Sequence, residues 1–519
     1  MDLIILIFFS ILFFAISIKR LDWALMLVLA GLPLYVIRFS VFGIPTTILE
    51  AMILIVFAIW ILSNYKRLIS NISSRLTNGK KSEEEVEDKK IINYPFGIEL
   101  ILVLIVAFIA MGVSGFSDSA MGIWKAYFFE PIIIYLLVFN IFFCQQTKAG
   151  TGQCPVPTGG LTKIILPLSI SAFAISAFAI YQKITGNFIP NELWAATETR
   201  RATSFFGYPN AVGLFLGPIF MMMFGYLLFM NNKYKKQSCR VQCTKWSPFS
   251  FNWFKIMSKK EKLIFLFLKF SSFLAILAIY FAKSEGALVA ITLALIVLVF
   301  FSQPFKSLGS ARAVIVALAV FLLIFIFSFA PLREFVTNKI SLNDFSGQIR
   351  KAQWQDTGIM LRDDNWLMGA GLNSYQEKIE PYHSGGIYIK NNDPDFERLI
   401  KVSPEYQAKH WQPLEIFLYP HNIFLNFWVE LGLAGMLIFI WIILKVFFLS
   451  SRMLFSDNLK PENRYLLLGA MSAMLVLVVH GIVDVPYFKN DLAVIFWLIV
   501  GIVGFIDLDY KMSLKSNQK

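Results

Sequence analysis

Apolar runs about as long as a bilayer is thick recur along almost the whole chain, and that pattern decides what solvent it folds in. A spanning helix needs about 20 mostly apolar residues. Thirteen candidate spans meet or approach this: residues 3–18, 21–38, 46–63, 96–114, 126–143, 163–182, 209–230, 262–281, 286–302, 313–330, 422–448, 465–484 and 491–508. No water-soluble fold hides this much apolar surface. Of the 519 residues 57% are hydrophobic and 52 are Phe, and only 16% are charged, where soluble domains carry about a quarter. The expected fold class is an all-α polytopic membrane protein with about 12–13 transmembrane helices and one large extracytoplasmic loop. The first run lacks a basic start and is followed by Lys19-Arg20 rather than a small-residue cleavage site, so it reads as a spanning helix and not a cleaved signal peptide.

Lys and Arg in the connecting loops set orientation. Alternation through these spans puts Lys19-Arg20, Lys66-Arg67, Lys80-Lys81, Lys148, Lys163, Lys233 to Lys262, Lys306, Arg312, Arg452 and the Lys-bearing tail on one face, assigned here to the cytoplasm. The formal charge of +13 then reflects loops that meet anionic lipid, not a nucleic-acid partner. The chain divides into N-terminal transmembrane helices (1–330, with cytoplasmic loops 64–95 and 231–261), a polar extracytoplasmic loop (331–421) and C-terminal helices with a short tail (422–519). The mixed charge run Ser82 to Lys90 reads as solvated sequence. Lys233 to Lys262, with Trp246, Phe249, Phe251, Trp253 and Phe254 interleaved, fits a short helix on the lipid surface. Cys144, Cys154, Cys239 and Cys243 fall in cytoplasmic loops, where disulfides are rare, and no nearby ligands complete a metal site.

The opposite face carries 114–125, 183–209, 283–285, the 331–421 loop and 484–487. A loop this long is functional or disordered. Trp354, Trp366, Tyr375, Tyr382, Tyr388 and Trp411 argue that it folds, partly helical over Leu332 to Asp364 and turn-rich after Gly369-Ala370-Gly371. His421, where that loop meets a helix, suits a general base or acid, or simply a capping role. Arg200 and Arg201 lie on the same face, against the usual bias; a guanidinium fork suits phosphate oxygens, and a snorkelling surface role is the alternative. Arg350 and Trp354 have i, i+4 spacing, so on a helix they share a face, where the cation can rest on the ring. Asn210, Lys283, Glu285, His480 and Asp484 sit near outer span ends, where ionisable groups are functional candidates; His480 and Asp484, four apart, can also pair with each other. Gly-x-Ser-x-Gly, His-Glu-x-x-His, a Walker loop and a metal-binding acidic pair are all absent, which disfavours ATP-driven transport and metalloprotease chemistry.

Six motifs occur in order: Arg201-x-Thr203-x-Phe205-x-Gly207-x-Pro209-Asn210, Ser284-x-Gly286-Ala287, Arg350-x-x-x-Trp354, Gly369-x-Gly371, Pro420-His421-Asn422-x-x-Leu425 and Glu430-x-Gly432-x-x-Gly435. Together they resemble the O-antigen ligase family, which includes O-antigen polymerases and protein O-oligosaccharyltransferases. The resemblance covers roughly residues 190 to 505. It implies a metal-independent GT-C type glycosyltransferase without cofactors. Such an enzyme takes a glycan from an undecaprenyl-diphosphate carrier outside the cytoplasmic (inner) membrane and passes it to a hydroxyl of a glycan, lipid or protein acceptor. In polysaccharide biosynthesis for the cell envelope, lipopolysaccharide is one such product. It also implies that Arg201 and Arg350 engage the donor diphosphate and that His421 is the essential histidine, with Arg200, Asn210, Glu285, Trp354, Asn422, Glu430 and Asp484 in support. Many relatives carry an arginine directly after the serine of Ser-x-Gly. Here that position is Glu285, and Lys283 is the cation expected to supply the charge. The competing readings are a polymerase of the same family, a polytopic lipid-glycan transporter and a membrane scaffold whose loop docks a partner.

Overall fold

The structure is a computed structural model. It describes residues 3–41, 44–77, 94–143, 158–241, 254, 256–302, 334, 337–339, 341–363, 366–391 and 393–517. The expected span 313–330, the Ser82 to Lys90 run, Trp246 to Trp253, Cys144, Cys154 and Cys243 lie outside the described residues. Among the described residues eight helices are long and apolar enough to cross a membrane, and four shorter apolar helices accompany them. The chain is an all-α, multi-pass membrane protein.

In chain order the helices are α1 (Leu3–Lys19), α2 (Leu21–Ala30), α3 (Ile48–Thr77), α4 (Gly97–Val113), α5 (Asp118–Phe143), α6 (Thr158–Thr185), α7 (Asn210–Val241), α8 (Lys259–Phe281) and α9 (Glu285–Phe301). They continue with α10 (Phe345–Asp363), α11 (Ile423–Leu454), α12 (Pro461–Gly481) and α13 (Asn490–Asn517). α5 carries π turns at Lys125–Phe129 and Phe139–Phe143. The run expected to span at 21–38 is broken. α2 ends at Gly31, and Pro33, which has no N–H to extend a helix, opens a 3-10 turn at Leu32–Val36. An antiparallel hairpin follows, β1 (Arg38–Val41) and β2 (Ile44–Thr47), with Arg38 opposite Thr47.

α13 is the most enclosed helix, as an almost wholly apolar segment must be when other helices surround it. Trp497, Phe496 and Tyr487 are buried around its outer half. α7 crosses α12 where Gly225 faces Gly469, so closely that a Cβ on Gly225 would lie 2.6 Å from Gly469 Cα. Small residues at a crossing let backbones approach where lipid offers no hydrophobic drive.

The run 422–448 reads as one continuous helix, but α11 is interrupted at Gly432 (φ 73°, ψ 179°). That conformation is open essentially only to glycine. The 331–421 loop occupies the break: Leu433 N–H donates to the Leu367 carbonyl (3.0 Å) and Ala370 N–H to the Val429 carbonyl (2.7 Å). Glu430 accepts from the Asn373 N–H at 2.8 Å. On the far side of the loop, Ser114 Oγ donates to the Leu372 carbonyl at 2.8 Å. Gly369 and Gly432 leave no room: a Cβ on either would come within 2.4 Å of a backbone carbonyl oxygen. The 331–421 loop is therefore pinned to the membrane body through Gly369-x-Gly371 and Glu430-x-Gly432. Gly432→Ala is expected to lose at least about 1–3 kcal/mol of stability from backbone strain alone. A fall in the thermal unfolding midpoint of detergent-solubilised protein measures it, and an unchanged midpoint contradicts the docking.

Candidate active site

The segments expected on the outer face meet at one end of the bundle. α10, from the long loop, lies against the short α12–α13 connection and the Tyr419–Asn422 segment. Its residues spaced by three and four share that face. Arg350 Nε donates to the Val483 carbonyl (3.0 Å) and Nη1 to Ser346 Oγ (2.6 Å). Trp354 does not take Arg350 onto its ring; its indole N–H donates to the Pro420 carbonyl at 2.8 Å. Gln353, which the sequence did not single out, donates to the Tyr419 carbonyl at 2.9 Å. Two consecutive carbonyls ahead of His421 are thus held by α10.

His421 itself has φ +46°, a left-handed conformation uncommon for a non-glycine residue and frequent at functional sites. Asn422 fixes the next turn: its Oδ1 caps α11 by accepting from the N–H groups of Phe424 and Leu425, and Nδ2 donates to the Ile482 carbonyl. The His421 ring is edge-on to Phe417 and Tyr419, with centroids at 5.2 and 5.0 Å. Nδ1 lies 3.9 Å from Asp484 Oδ1 and is inaccessible, with no hydrogen-bond partner among the described residues. The side chain nevertheless keeps 22% of its exposure, so the reachable part of the ring is the side bearing Nε2.

Asp484 is fully buried. Its Oδ1 accepts from the Val485 N–H (2.8 Å) and its Oδ2 from Asn210 Nδ2 (3.2 Å). Burial pushes this carboxyl up, but His421, His480 and the Val485 N–H outweigh it and hold the group well below the usual carboxylate range. The contribution of Asp484 to stability is therefore complete at neutral pH and is lost only as the pH falls through that depressed value. His480, on the last turn of α12, is buried against Gly286, where a Cβ would come within 2.8 Å of its ring. Asp484 turns to Asn210 and Val485 for its hydrogen bonds rather than to His480.

Asn210, the first residue of α7, continues the chain of contacts. Its Oδ1 accepts from Arg201 Nη2 at 3.0 Å. Arg201 also donates to the carbonyls of Ala282 (3.0 Å) and Lys283 (3.3 Å), at the turn between α8 and α9. Its own N–H donates to the Trp194 carbonyl (2.9 Å), and the backbone just after it is held by Gln182, whose buried Oε1 accepts the N–H groups of Thr203 and Ser204. Burial lowers the pKa of Arg201, Glu285 raises it, and the nearby Arg350 guanidinium lowers it further. Arg201 Nη1 and Arg350 Nη2 remain without a hydrogen-bond partner among the described residues.

The structure thus joins Arg201, Asn210, Asp484 and His421 in one run of contacts, with Arg350 on the residue before Asp484 and Trp354 and Asn422 bracing His421. Other expected site residues are engaged elsewhere. Arg200 binds the carbonyls of Ala195, Lys183 and Ile184, tying down the 186–200 loop. Lys283 (φ +51°) points its ammonium at the Thr199 carbonyl, 3.4 Å away. Glu285 holds Lys339 of the outer loop at 2.6 Å, and Lys339 also reaches Asp344 at 2.9 Å. Glu430 serves the loop docking described above. Three residues that the motifs did not flag complete the surroundings. Tyr208 and Tyr419 join their hydroxyls at 3.0 Å, and Lys489 Nζ sits 4.0 Å above the Tyr208 ring. Burial pushes the Lys489 ammonium down to about 8, against the pull of Asp491 and Asp484. Among the described residues no group of three or more His, Cys, Asp and Glu side chains is arranged to hold a metal ion.

A search of curated proteins returns no match. A protein-family model described as O-antigen ligase matches residues 270–440, the stretch that runs from α8 through the outer loop and His421 into α11. Over residues 270–440 the chain is therefore similar to the O-antigen ligase family.

Proposed function

We propose that the chain is a glycosyltransferase that moves a glycan from an undecaprenyl-diphosphate carrier to an acceptor hydroxyl on the outer face of the cytoplasmic membrane. The observation that carries this reading is the pairing of two close, incompletely bonded guanidiniums with an imidazole whose far nitrogen faces a buried carboxylate. Such a set has a place for an anion and a place for a proton.

In the reaction the acceptor oxygen attacks the anomeric carbon of the donor glycan. The bond from that carbon to the diphosphate oxygen breaks, and the electron pair leaves with the lipid diphosphate. Arg201 and Arg350 meet the charge that grows on the leaving group, and their carbonyl and Asn210 contacts fix them beforehand, so little reorganisation is needed. His421 Nε2 takes the acceptor proton. Asp484 favours the tautomer with the proton on Nδ1 and stabilises the imidazolium that forms. Placement at the bundle's outer end lets the prenyl tail stay in lipid while the glycan projects outward. Tyr419, whose ring meets that of His421, links it through the Tyr208 hydroxyl to the ring under Lys489.

Ligase and polymerase share this donor chemistry and differ in acceptor. Surface polysaccharide from a deletion strain separates them: accumulated long lipid-linked chains mark a ligase, and short unpolymerised units mark a polymerase. Unchanged surface glycan in that strain refutes both. Trp354→Phe keeps an aromatic ring at this position but removes, with part of the ring volume, the indole N–H that holds the Pro420 carbonyl. Loss of one such hydrogen bond, worth about 1 kcal/mol, is expected to lower kcat roughly fivefold with donor KM unchanged. Steady-state kinetics on a lipid-diphosphate glycan check this, and wild-type kcat contradicts it.

A further inference from the structure

At the end of the bundle opposite His421, a lateral cleft of about 600 Å³ opens between α4, α5, α11 and α13. Its walls are apolar, formed by Ile101 and Leu104 of α4 and Ile132 and Leu136 of α5. Its mouth is charged. Lys445 of α11 donates to Glu99 of α4 at 2.5 Å, and Lys511 of α13 donates to Asp507 at 2.6 Å, a carboxylate that Arg452 also reaches at 2.6 Å. All four groups Glu99, Lys445, Asp507 and Lys511 line the opening.

We propose that this cleft binds one singly anionic glycerophospholipid from the leaflet on that side. The shape fits: Gly97 to Leu104 rises about 10 Å along α4 from the charged mouth to the apolar end. A head group can sit at the former and the first part of an acyl chain along the latter. The charge fits as well. In the lining, Lys445 and Lys511 stand against Glu99 and Asp507, and Arg452, outside the lining but bound to Asp507, adds the one positive charge that a single phosphodiester would balance. The carboxylates are already satisfied; Glu99 also accepts from Trp441 Nε1 at 3.0 Å. Each lysine ammonium has three N–H donors and gives one to its carboxylate, so both have donors left for phosphate oxygens. The two carboxylates fix the lysine stems and keep the mouth from carrying two uncompensated ammonium charges. Basic clefts between spanning helices are known to hold phospholipid head groups in this way. The cleft lies across the membrane from the proposed transfer site and is independent of it.

Native mass spectrometry of the purified full chain, incubated with equimolar phosphatidylglycerol and phosphatidylethanolamine, tests this. One phosphatidylglycerol per chain is expected to survive activation that strips the loosely held lipids, in preference to phosphatidylethanolamine. Lys511→Gln removes an exposed cation worth about 1 kcal/mol at a membrane surface and is expected to lower retention roughly fivefold. Leu104→Trp fills the apolar end without touching charge and is expected to abolish retention. Equal retention of the two lipids overturns the proposal, as does phosphatidylglycerol retention that either substitution leaves unchanged.

Discussion

His421→Ala is expected to lower the rate of glycan transfer roughly 10²–10⁴-fold, the usual contribution of a positioned general base, while the protein folds and inserts normally. The fold is expected to survive because the contacts that shape this segment, Gln353 and Trp354 to the Tyr419 and Pro420 carbonyls and Asn422 to the α11 N-terminus and Ile482, do not involve the imidazole. The loss should fall on kcat, since the proton moves only as the acceptor attacks. Asp484→Asn separates orientation from base chemistry. It keeps the volume and the Asn210 contact but no longer stabilises the imidazolium, so it is expected to fall between wild type and His421→Ala. Transfer assays with purified protein and a lipid-diphosphate glycan decide the matter. Full activity in His421→Ala would remove His421 from the reaction.

The second large effect belongs to the arginines. Arg201→Ala and Arg350→Ala are each expected to cost about 10²–10³-fold in kcat, the scale found when one preorganised donor to a developing anion is removed. Lysine should not restore Arg201. One guanidinium there reaches Ala282, Lys283 and Asn210 at once, and an ammonium has neither the span nor the planar fork. Because Asn210 also donates to Asp484, Arg201→Ala loosens the His421 environment. The double change Arg201→Ala/Asp484→Asn is therefore expected to lose less than the product of the single losses. Strict additivity would show that the two halves of the site act independently. Lys283→Ala is expected to have a small effect, because its ammonium reaches a single backbone carbonyl at 3.4 Å.

The fold class was legible because lipid imposes a simple rule: each crossing needs its own apolar run, and most runs in the sequence coincide with helices. Two departures have local causes. The run 21–38 satisfies hydropathy, but Gly31 and Pro33 end the helix, and hydropathy does not see a missing N–H. The run 422–448 is just as apolar on both sides of Gly432, so only the backbone angle reveals the break. At the site, residues spread from Arg201 to Asp484 are brought to one end because the connecting segments that carry them all lie there. The sequence could not say which cations were already spent. Arg200 and Arg201 are neighbours of one type, yet one binds loop carbonyls and the other faces Asn210. Gln353, Tyr208 and Lys489 carry no motif signal, because their parts depend on contacts made across more than 60 residues of chain.

The way the extramembrane segment is threaded through the gap in α11 has a consequence for engineering. That segment cannot be treated as a portable cassette. A version grafted from a relative would have to bring its own glycines into register with the recipient's helix break and with Ser114. An acceptor preference housed in that segment would be inherited together with the helix that receives it.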